Sequence, residues 1–244
     1  MKRILSLAIF SVLLAGCAAT KPVSHDQRAK IKEIGVVSLV GDEFKFTKIG
    51  LTIFNNDEFI RNIDDGQFDK QIEQLIIKTI KNENPATHAA TLAADRNVLH
   101  KLYRHKELGS YASLDRIKAD LKALLINQPV DALILVHNEQ VQDPIMGTSL
   151  NLYGSGLYYR SFPFVDPVVK PYTFLRIVVL DGKTMKVLGE RAILGISKDY
   201  GKMQLSWDDE LKNNLSDKQW AKFQADIKQL ANENIVHALH EMGM

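Results

Sequence analysis

A single cysteine, Cys17, closes the stretch "LLAGC", and the 244-residue chain has no second thiol. A thiolate is the best nucleophile among ordinary side chains near neutral pH, so an unpaired cysteine can be alkylated; it rules out a disulfide framework and a cysteine-based zinc site. His237 and His240, three apart with Glu241 beside them, have the spacing of two metal ligands on one helix face. No His-Glu-x-x-His occurs and no third ligand can be located, so the expected metal set is none. His100 and His105 are five apart, fall on different faces of a helix, and read as solvated. Asp64, Asp65 and Asp69, and likewise Asp208, Asp209 and Glu210, read as helix starts, where negative charge is favourable, and not as acid–base pairs.

Two further patterns fail on spacing. Asp181-Gly182-Lys183-Thr184 contains the Gly-Lys-Thr of a phosphate loop, but the glycine required five positions before Gly182 is Ile177, which leaves a hairpin turn. No Gly-x-Ser-x-Gly occurs, so there is no nucleophile elbow. The expectation is therefore no catalytic residue, no cofactor and no enzyme activity, with the rival of an envelope enzyme whose site is scattered in sequence.

The residues around Cys17 explain its solitude. Lys2 and Arg3 precede a twelve-residue apolar run, Ile4 to Ala15, and small residues follow at Gly16 and Ala18. Charged start, short apolar middle and small-residue exit describe a signal peptide over residues 1–16, whereas a membrane span needs about 20 apolar residues. Leu14-Ala15-Gly16-Cys17 resembles the lipobox of bacterial lipoproteins. That resemblance implies a diacylglycerol on the Cys17 sulfur, cleavage before it, and acylation of the new amine. Each buried methylene contributes about 0.8 kcal/mol, so three chains would anchor a domain durably to a membrane. Ala18 and Ala19 stand where an aspartate would resemble an inner-membrane retention signal. By that resemblance the anchor is in the outer membrane, facing the periplasm.

Of 31 basic and 29 acidic residues, Lys2 and Arg3 lie in the signal peptide, leaving 29 of each in the remainder. A neutral balance argues against nucleic acid as a partner. Residues 17–30 are small and polar with one proline, and read as a lipidated start and flexible linker reaching at most about 45 Å. Residues 31–244 read as a single domain.

Hydrophobic periodicity supplies the elements that would carry any site. Strands are expected between Ile31 and Phe54, broken at Gly41-Asp42, and a helix from Gly66 to Lys81. Residues 86–93 are ambiguous, and Asp95 is placed to cap a helix carrying Val98 and Leu99. A helix over "LDRIKADLKALLI" ends at Pro129, and "VDALILV" is apolar on both faces, like a central strand. "YTFLRIVVL" and "MKVLGERAILGI" flank the Asp181 turn as a long hairpin. Ser216 and Gln219 form a capping box for a final helix bearing Trp220, Phe223, Ile227, Leu230, Ile235 and Leu239. The fold class is α/β (α+β): one mixed sheet of about five to six strands, helices packed against it, a hairpin in the C-terminal half and a C-terminal helix.

"IGVVSLV", "LKALLINQPVDALILV" and "TFLRIVVLDGKTMKVLGE" resemble the periplasmic α/β module of curli-secretion lipoproteins, the Tol propeller protein's N-terminal domain and synthase-activator lipoproteins. "GDEFKFTKIGLTIFNNDEF" and "YGSGLYYRS" are similar to uncharacterised bacterial lipoproteins, which imply no activity. The segment "LYGSGLYYRSFPFVDP" concentrates Tyr153, Tyr158, Tyr159, Arg160, Phe162 and Phe164, a composition typical of protein contact patches. The expected function is a lipid-anchored protein-binding or self-assembling module of the envelope. A pore-forming secretion lipoprotein with membrane strands from residues 148–180 is the third alternative.

Overall fold

A computed structural model describes residues 20–64, 66–95, 98–100, 114–162, 165–197 and 206–244. In chain order the elements are α1 (His25–Arg28), β1 (Glu33–Leu39), β2 (Glu43–Lys48), a 3-10 turn (Ile53–Asn55), β3 (Asp57–Asn62), α2 (Phe68–Glu83), β4 (His88–Thr91) and α3 (Leu114–Leu125). There follow β5 (Ala132–Asn138), β6 (Gln140–Gln142), β7 (Asn151–Tyr153), β8 (Ser155–Phe162), β9 (Val165–Asp181), β10 (Val187–Ile196), a π-helix (Trp207–Lys212) and α4 (Asp217–Glu241).

The 17-residue β9 organises the sheet. Along one edge it pairs antiparallel with β5 from Asp181 to Leu175, then with β8 from Thr173 to Val165. Its other edge takes β10, from Leu180 to Tyr172. β1 lies parallel to β5, and β2 lies parallel to β8. Hence β5 and β8 run end to end beside β9, and β1 and β2 run end to end beside them. β4 closes the lower half, parallel to β1, and β3 closes the upper half, antiparallel to β2. The sheet therefore has eight strands where five to six were expected, because two long courses of chain are each broken into two strands. The break in one is the excursion carrying β6 and β7, a separate two-stranded sheet. The break in the other is the bend at Val40–Asp42.

Strand alternation sends Ile34, Val36, Ile134, Val136, Ile177 and Val179 to one face, beneath α2 and α4. Val37, Leu39, Leu133, Leu135, Val178 and Leu180 point the other way, beneath α3. Further up that second face, Tyr158, Tyr172 and Phe174 pack against Leu152 of the small sheet. β5 is thus apolar on both sides, as its sequence predicts, and its buried residues run unbroken from Ala132 to Val136. Each fully buried Leu, Ile, Val or Phe contributes roughly 1.5–3 kcal/mol, which makes this central block the main source of stability.

The helices follow their apolar spacing. Phe68, Ile72, Ile76 and Ile80 line the buried side of α2. In α4, Ser216 and Gln219 form both bonds of the capping box, and Trp220, Phe223, Ile227, Ile235 and Leu239 face the sheet. Ala231 and Ala238 are buried on the same face, whereas Leu230, expected there, is only partly covered. Among the described residues no helix is long and apolar enough to cross a membrane.

One open reading is resolved and two expectations are corrected. β4 resolves residues 86–93 as containing a strand, which forms because parallel pairing with β1 satisfies its backbone. The third strand lies beyond Phe54, at Asp57–Asn62, where charged residues alternate with Phe59 and obscure the strand pattern. The linker is also folded from Thr20 onward: Lys21 bridges to Glu190, Val23 is buried, and Ser24 caps α1 with Gln27. Apolar burial of Val23 and Ile31 outweighs the polar composition on which the flexible reading rested.

Candidate functional site

The bend between β1 and β2 leaves main-chain groups that no strand can satisfy, and buried side chains meet them. Asp69, in the first turn of α2, accepts from Val40 N (2.8 Å) and Gly41 N (3.1 Å), and from the Ser38 hydroxyl (2.5 Å). Its second oxygen, Oδ2, lies 2.8 Å from His100 Nε2. Glu73, one turn further on, accepts from Ser38 N (3.0 Å). Asn138 at the end of β5 donates to Val40 O (2.7 Å), and Asp42 accepts from Phe68 N (2.7 Å), capping α2 from outside the helix.

Serine, aspartate and histidine thus come together, but in an order unsuited to nucleophilic catalysis. Ser38 and His100 both bind Asp69 and Ser38 is fully buried, so within this cluster its hydroxyl is turned to the carboxylate and not to the imidazole. The arrangement is a clamp that joins α2, the bend and the segment bearing His100. Helix-start chemistry describes Asp69 only in part, and His100 is its hydrogen-bond partner, with a side chain that is mostly buried, where solvation was expected. Asp64 meets Trp220 Nε1 and Gln224 Nε2 on α4 at 2.8 and 2.6 Å, while Asp65 and His105 lie outside the described residues. Asp208, Asp209 and Glu210 form the first turn of the π-helix, where Glu210 accepts from Ser206 N.

A second polar group lies on the opposite face, between the α3 cluster and the small sheet. Arg176 makes a two-point bond to Glu139 (2.7 and 3.0 Å) and reaches Glu190 at 3.3 Å. His137 bonds the Asn138 carbonyl through Nδ1, and burial pushes its pKa below the ordinary imidazole value. Above it, Asp143 accepts from Ile145 N, Met146 N and the Thr148 hydroxyl, folding the β6–β7 connection around one carboxylate. The Tyr158 hydroxyl also reaches Asp143, at 3.3 Å, and burial, then the Asp143 charge, raises its pKa far above that of free tyrosine.

The aromatic segment divides in two. Tyr158 and Tyr159 are buried on opposite faces of β8, Tyr158 against Tyr172 and Phe174, Tyr159 against Trp207. Both are core residues, which corrects their assignment to an exposed contact surface: β8 is flanked by β2 and β9 and covered on both sides. Tyr158, Tyr159, Tyr172 and Phe174 thus bury β8 and β9 within the domain. Tyr153, Arg160 and Phe162 are half-buried, and the Arg160 guanidinium sits 4.9 Å from the Phe162 ring centre. Phe164 lies outside the described residues, as does Cys17.

The exposed apolar residues of the upper half were missed in the sequence. The turn joining β2 to β3 carries Leu51, 60% exposed, and Phe54, 91% exposed; Ile60 on β3 is 57% exposed. β3 ends the upper half of the sheet, and its side bearing Glu58 and Ile60 is exposed, whereas Lys45, beside Ile60 on β2, is half-buried and pairs with Glu58 at 2.7 Å. The other side is tightly built: Phe46 stacks on Phe59 at 4.6 Å, Trp207 packs on Phe59, and Asp57 accepts from Trp207 Nε1 and Lys212 Nζ. Hydrogen bonds from Lys212 and then Trp207 hold the Asp57 carboxyl below its usual pKa. The signal available in the sequence was "IGLTIFNN", eight residues without an ionisable group between Lys48 and Asp57.

At the opposite end, α1, the end of α2 and the end of α4 enclose an open cavity of about 490 Å³ lined in part by Arg28, Lys32, Glu83, His240 and Met244. His240 pairs with Glu83 (3.2 Å), and His237 with Glu241 (3.6 Å), so the two histidines serve different carboxylates. Among the described residues no group of three His, Cys, Asp or Glu is arranged to hold a metal.

No family model and no curated protein matches the chain. Solved structures similar to it include the PelC dodecamer from Paraburkholderia phytofirmans, at 9% identity over 92% of this chain and 94% of that one, with a TM-score of 0.38. Others are lipoprotein GNA1162 from Neisseria meningitidis, at 11% identity over 82% and 99% with a TM-score of 0.30, and the hypothetical protein CT253 from Chlamydia trachomatis, at 9% over 84% and 98% with a TM-score of 0.30. Likeness at this level carries no functional conclusion to the present chain.

Proposed function

We propose that the protein is a lipid-anchored, periplasm-facing module of the cell envelope that binds another envelope protein or a second copy of itself, without catalysis. The observation that carries this reading is the exposed side of β3, where Ile60 stands open on a strand that ends the sheet. A sheet end with a free apolar side chain is a natural site for strand addition or face-to-face contact. The buried polar clusters support the same reading, since Asp69 and Asp143 are engaged in holding main chain. Cys17 would supply the anchor, by the resemblance of Leu14–Cys17 to a lipobox and in the outer membrane by that of Ala18 and Ala19, and the described residues from Thr20 onward the folded part.

The test is photocrosslinking in living cells from position 60, combined with light scattering of the purified domain. A discrete protein adduct from position 60, or a defined oligomer abolished by Ile60→Lys, is expected. Turnover of any substrate by the purified domain, removed by a single polar substitution that leaves folding intact, would overturn the non-catalytic part.

A further inference from the structure

The cavity enclosed by α1, the end of α2 and the end of α4 combines an apolar lining with cations that no carboxylate neutralises. Ile31, Ile34 and Ile80, all buried in the main core cluster, line it together with Met244. Arg28 and Lys32 bring permanent positive charges to the same lining. Its only acidic side chain, Glu83, lies 3.2 Å from His240 Nε2. Among the described residues Arg28 has no carboxylate partner, and the exposed Lys32 ammonium has neither a hydrogen bond nor an ion pair. A volume of about 490 Å³ falls within the range of small-molecule sites.

Arg28 is held in place by the end of the chain it touches. Its Nη1 donates to Gly243 O at 2.8 Å. Gly243 has φ +75°, and a β-carbon there would lie 2.5 Å from Nη1, so glycine is what lets the guanidinium seat against this turn. The other edge of the guanidinium, formed by Nε and Nη2, has no acceptor among the described residues, and Nε is buried without one. That edge is the fork that receives the two oxygens of a carboxylate side-on. A buried charged donor without a partner is costly, which favours an acceptor arriving from outside the chain. The neighbouring isoleucines decide what kind of acceptor: a bare inorganic anion gains nothing from apolar surface, whereas a carboxylate on an aliphatic body gains from both parts of the lining.

We propose that this cavity binds a small organic carboxylate with an aliphatic body, its oxygens on Arg28 and Lys32 and its chain against the isoleucines and Met244. The site stands apart from the Cys17 anchor and from the exposed side of β3, and is tested without reference to either.

The purified full chain, labelled with nitrogen-15, is titrated with hexanoate, with hexanamide and with inorganic phosphate, and the amide resonances of Lys32, Asn84, Thr87 and Gly243 are followed. Saturable shifts at these amides are expected with hexanoate, with far weaker binding of the uncharged amide and of phosphate. Arg28→Gln should weaken hexanoate binding about tenfold, the effect of losing a charge-assisted hydrogen bond, and Lys32→Gln about threefold, as its ammonium is exposed. Arg28→Gln also loses the bond to Gly243; should it fail to fold, Lys32→Gln on the exposed rim carries the comparison. The proposal falls if hexanoate gives no saturable shift, if hexanamide or phosphate binds as tightly as hexanoate, or if the folded variants bind hexanoate as well as the unsubstituted protein does.

Discussion

Lys21 and Glu190 exchange both main-chain hydrogen bonds, each amide donating to the other's carbonyl at 2.9 Å, so the segment after Thr20 lies on β10 as an added piece of sheet. Val23 then buries itself beside Met242, to whose carbonyl its amide donates. The segment approaches Gly189 so closely that a β-carbon there would meet Val23 Cγ2 at 2.7 Å and Lys21 O at 3.0 Å. Gly189→Val is therefore expected to lower stability by about 1–3 kcal/mol through crowding of the segment. Urea denaturation of residues 20–244 checks this, and the Lys21 and Glu190 amides should exchange slowly with deuterium only in the unsubstituted protein.

Asp69→Ala removes the acceptor for Val40 N, Gly41 N and the Ser38 hydroxyl in one step. Each buried donor left without a partner costs about 1–3 kcal/mol, so a loss of at least about 3 kcal/mol is expected. Asp69→Asn keeps one acceptor oxygen and should lose less. Equal loss in the two variants would mean that the carboxylate does not hold the bend.

Tyr158→Ala and Tyr159→Ala should each cost about 3–5 kcal/mol, the usual range for truncating a buried aromatic residue. Ile60→Lys, at an exposed position, should change stability by less than about 0.5 kcal/mol. The contrast in urea midpoints distinguishes core from surface along neighbouring strands.

The pH dependence has two components. Burial depresses the His137 pKa in the folded protein below its unfolded value of 6.5, so between the two values the unfolded chain binds more protons and stability rises with pH. This contribution is complete above pH 6.5 and is lost as pH falls through the folded value; His137→Gln should flatten the slope on the acid side of 6.5. Asp57, held low by Lys212 and Trp207, and Asp131, held low by the amides of Lys32 and Glu33, contribute stability above the unfolded value of 3.8. That part is lost as pH falls below 3.8, and Asp57→Asn should reduce it. Thermal unfolding from pH 3 to 8 measures both.

Much of the fold was legible because it depends on local periodicity. Phe68, Ile72, Ile76 and Ile80 are spaced for one helix face, and Ala132 to Val136 is too uniformly apolar to lie anywhere but at a sheet centre. The Asp181 turn was legible too, since its carboxylate accepts from the amides of Lys183 and Thr184 and from the Thr184 hydroxyl. The clamp was not. Asp69 and His100 are 31 residues apart, and nothing near either residue in the chain shows that a bend in a distant strand would need an acceptor.

By itself the sequence determined the signal-peptide pattern, the lone cysteine that would be its product's lipid attachment point, the elements and their apolar faces, because each is a matter of neighbours within a few residues. Only the tertiary structure decided which aromatic residues are core and which are surface. Tyr158 and Phe54 are both aromatic residues in glycine-punctuated segments. The first is enclosed because β8 runs between β2 and β9, and the second is exposed because its strand pair ends the sheet. Burial depends on what the rest of the chain places alongside, and that is set by pairings between residues far apart in sequence.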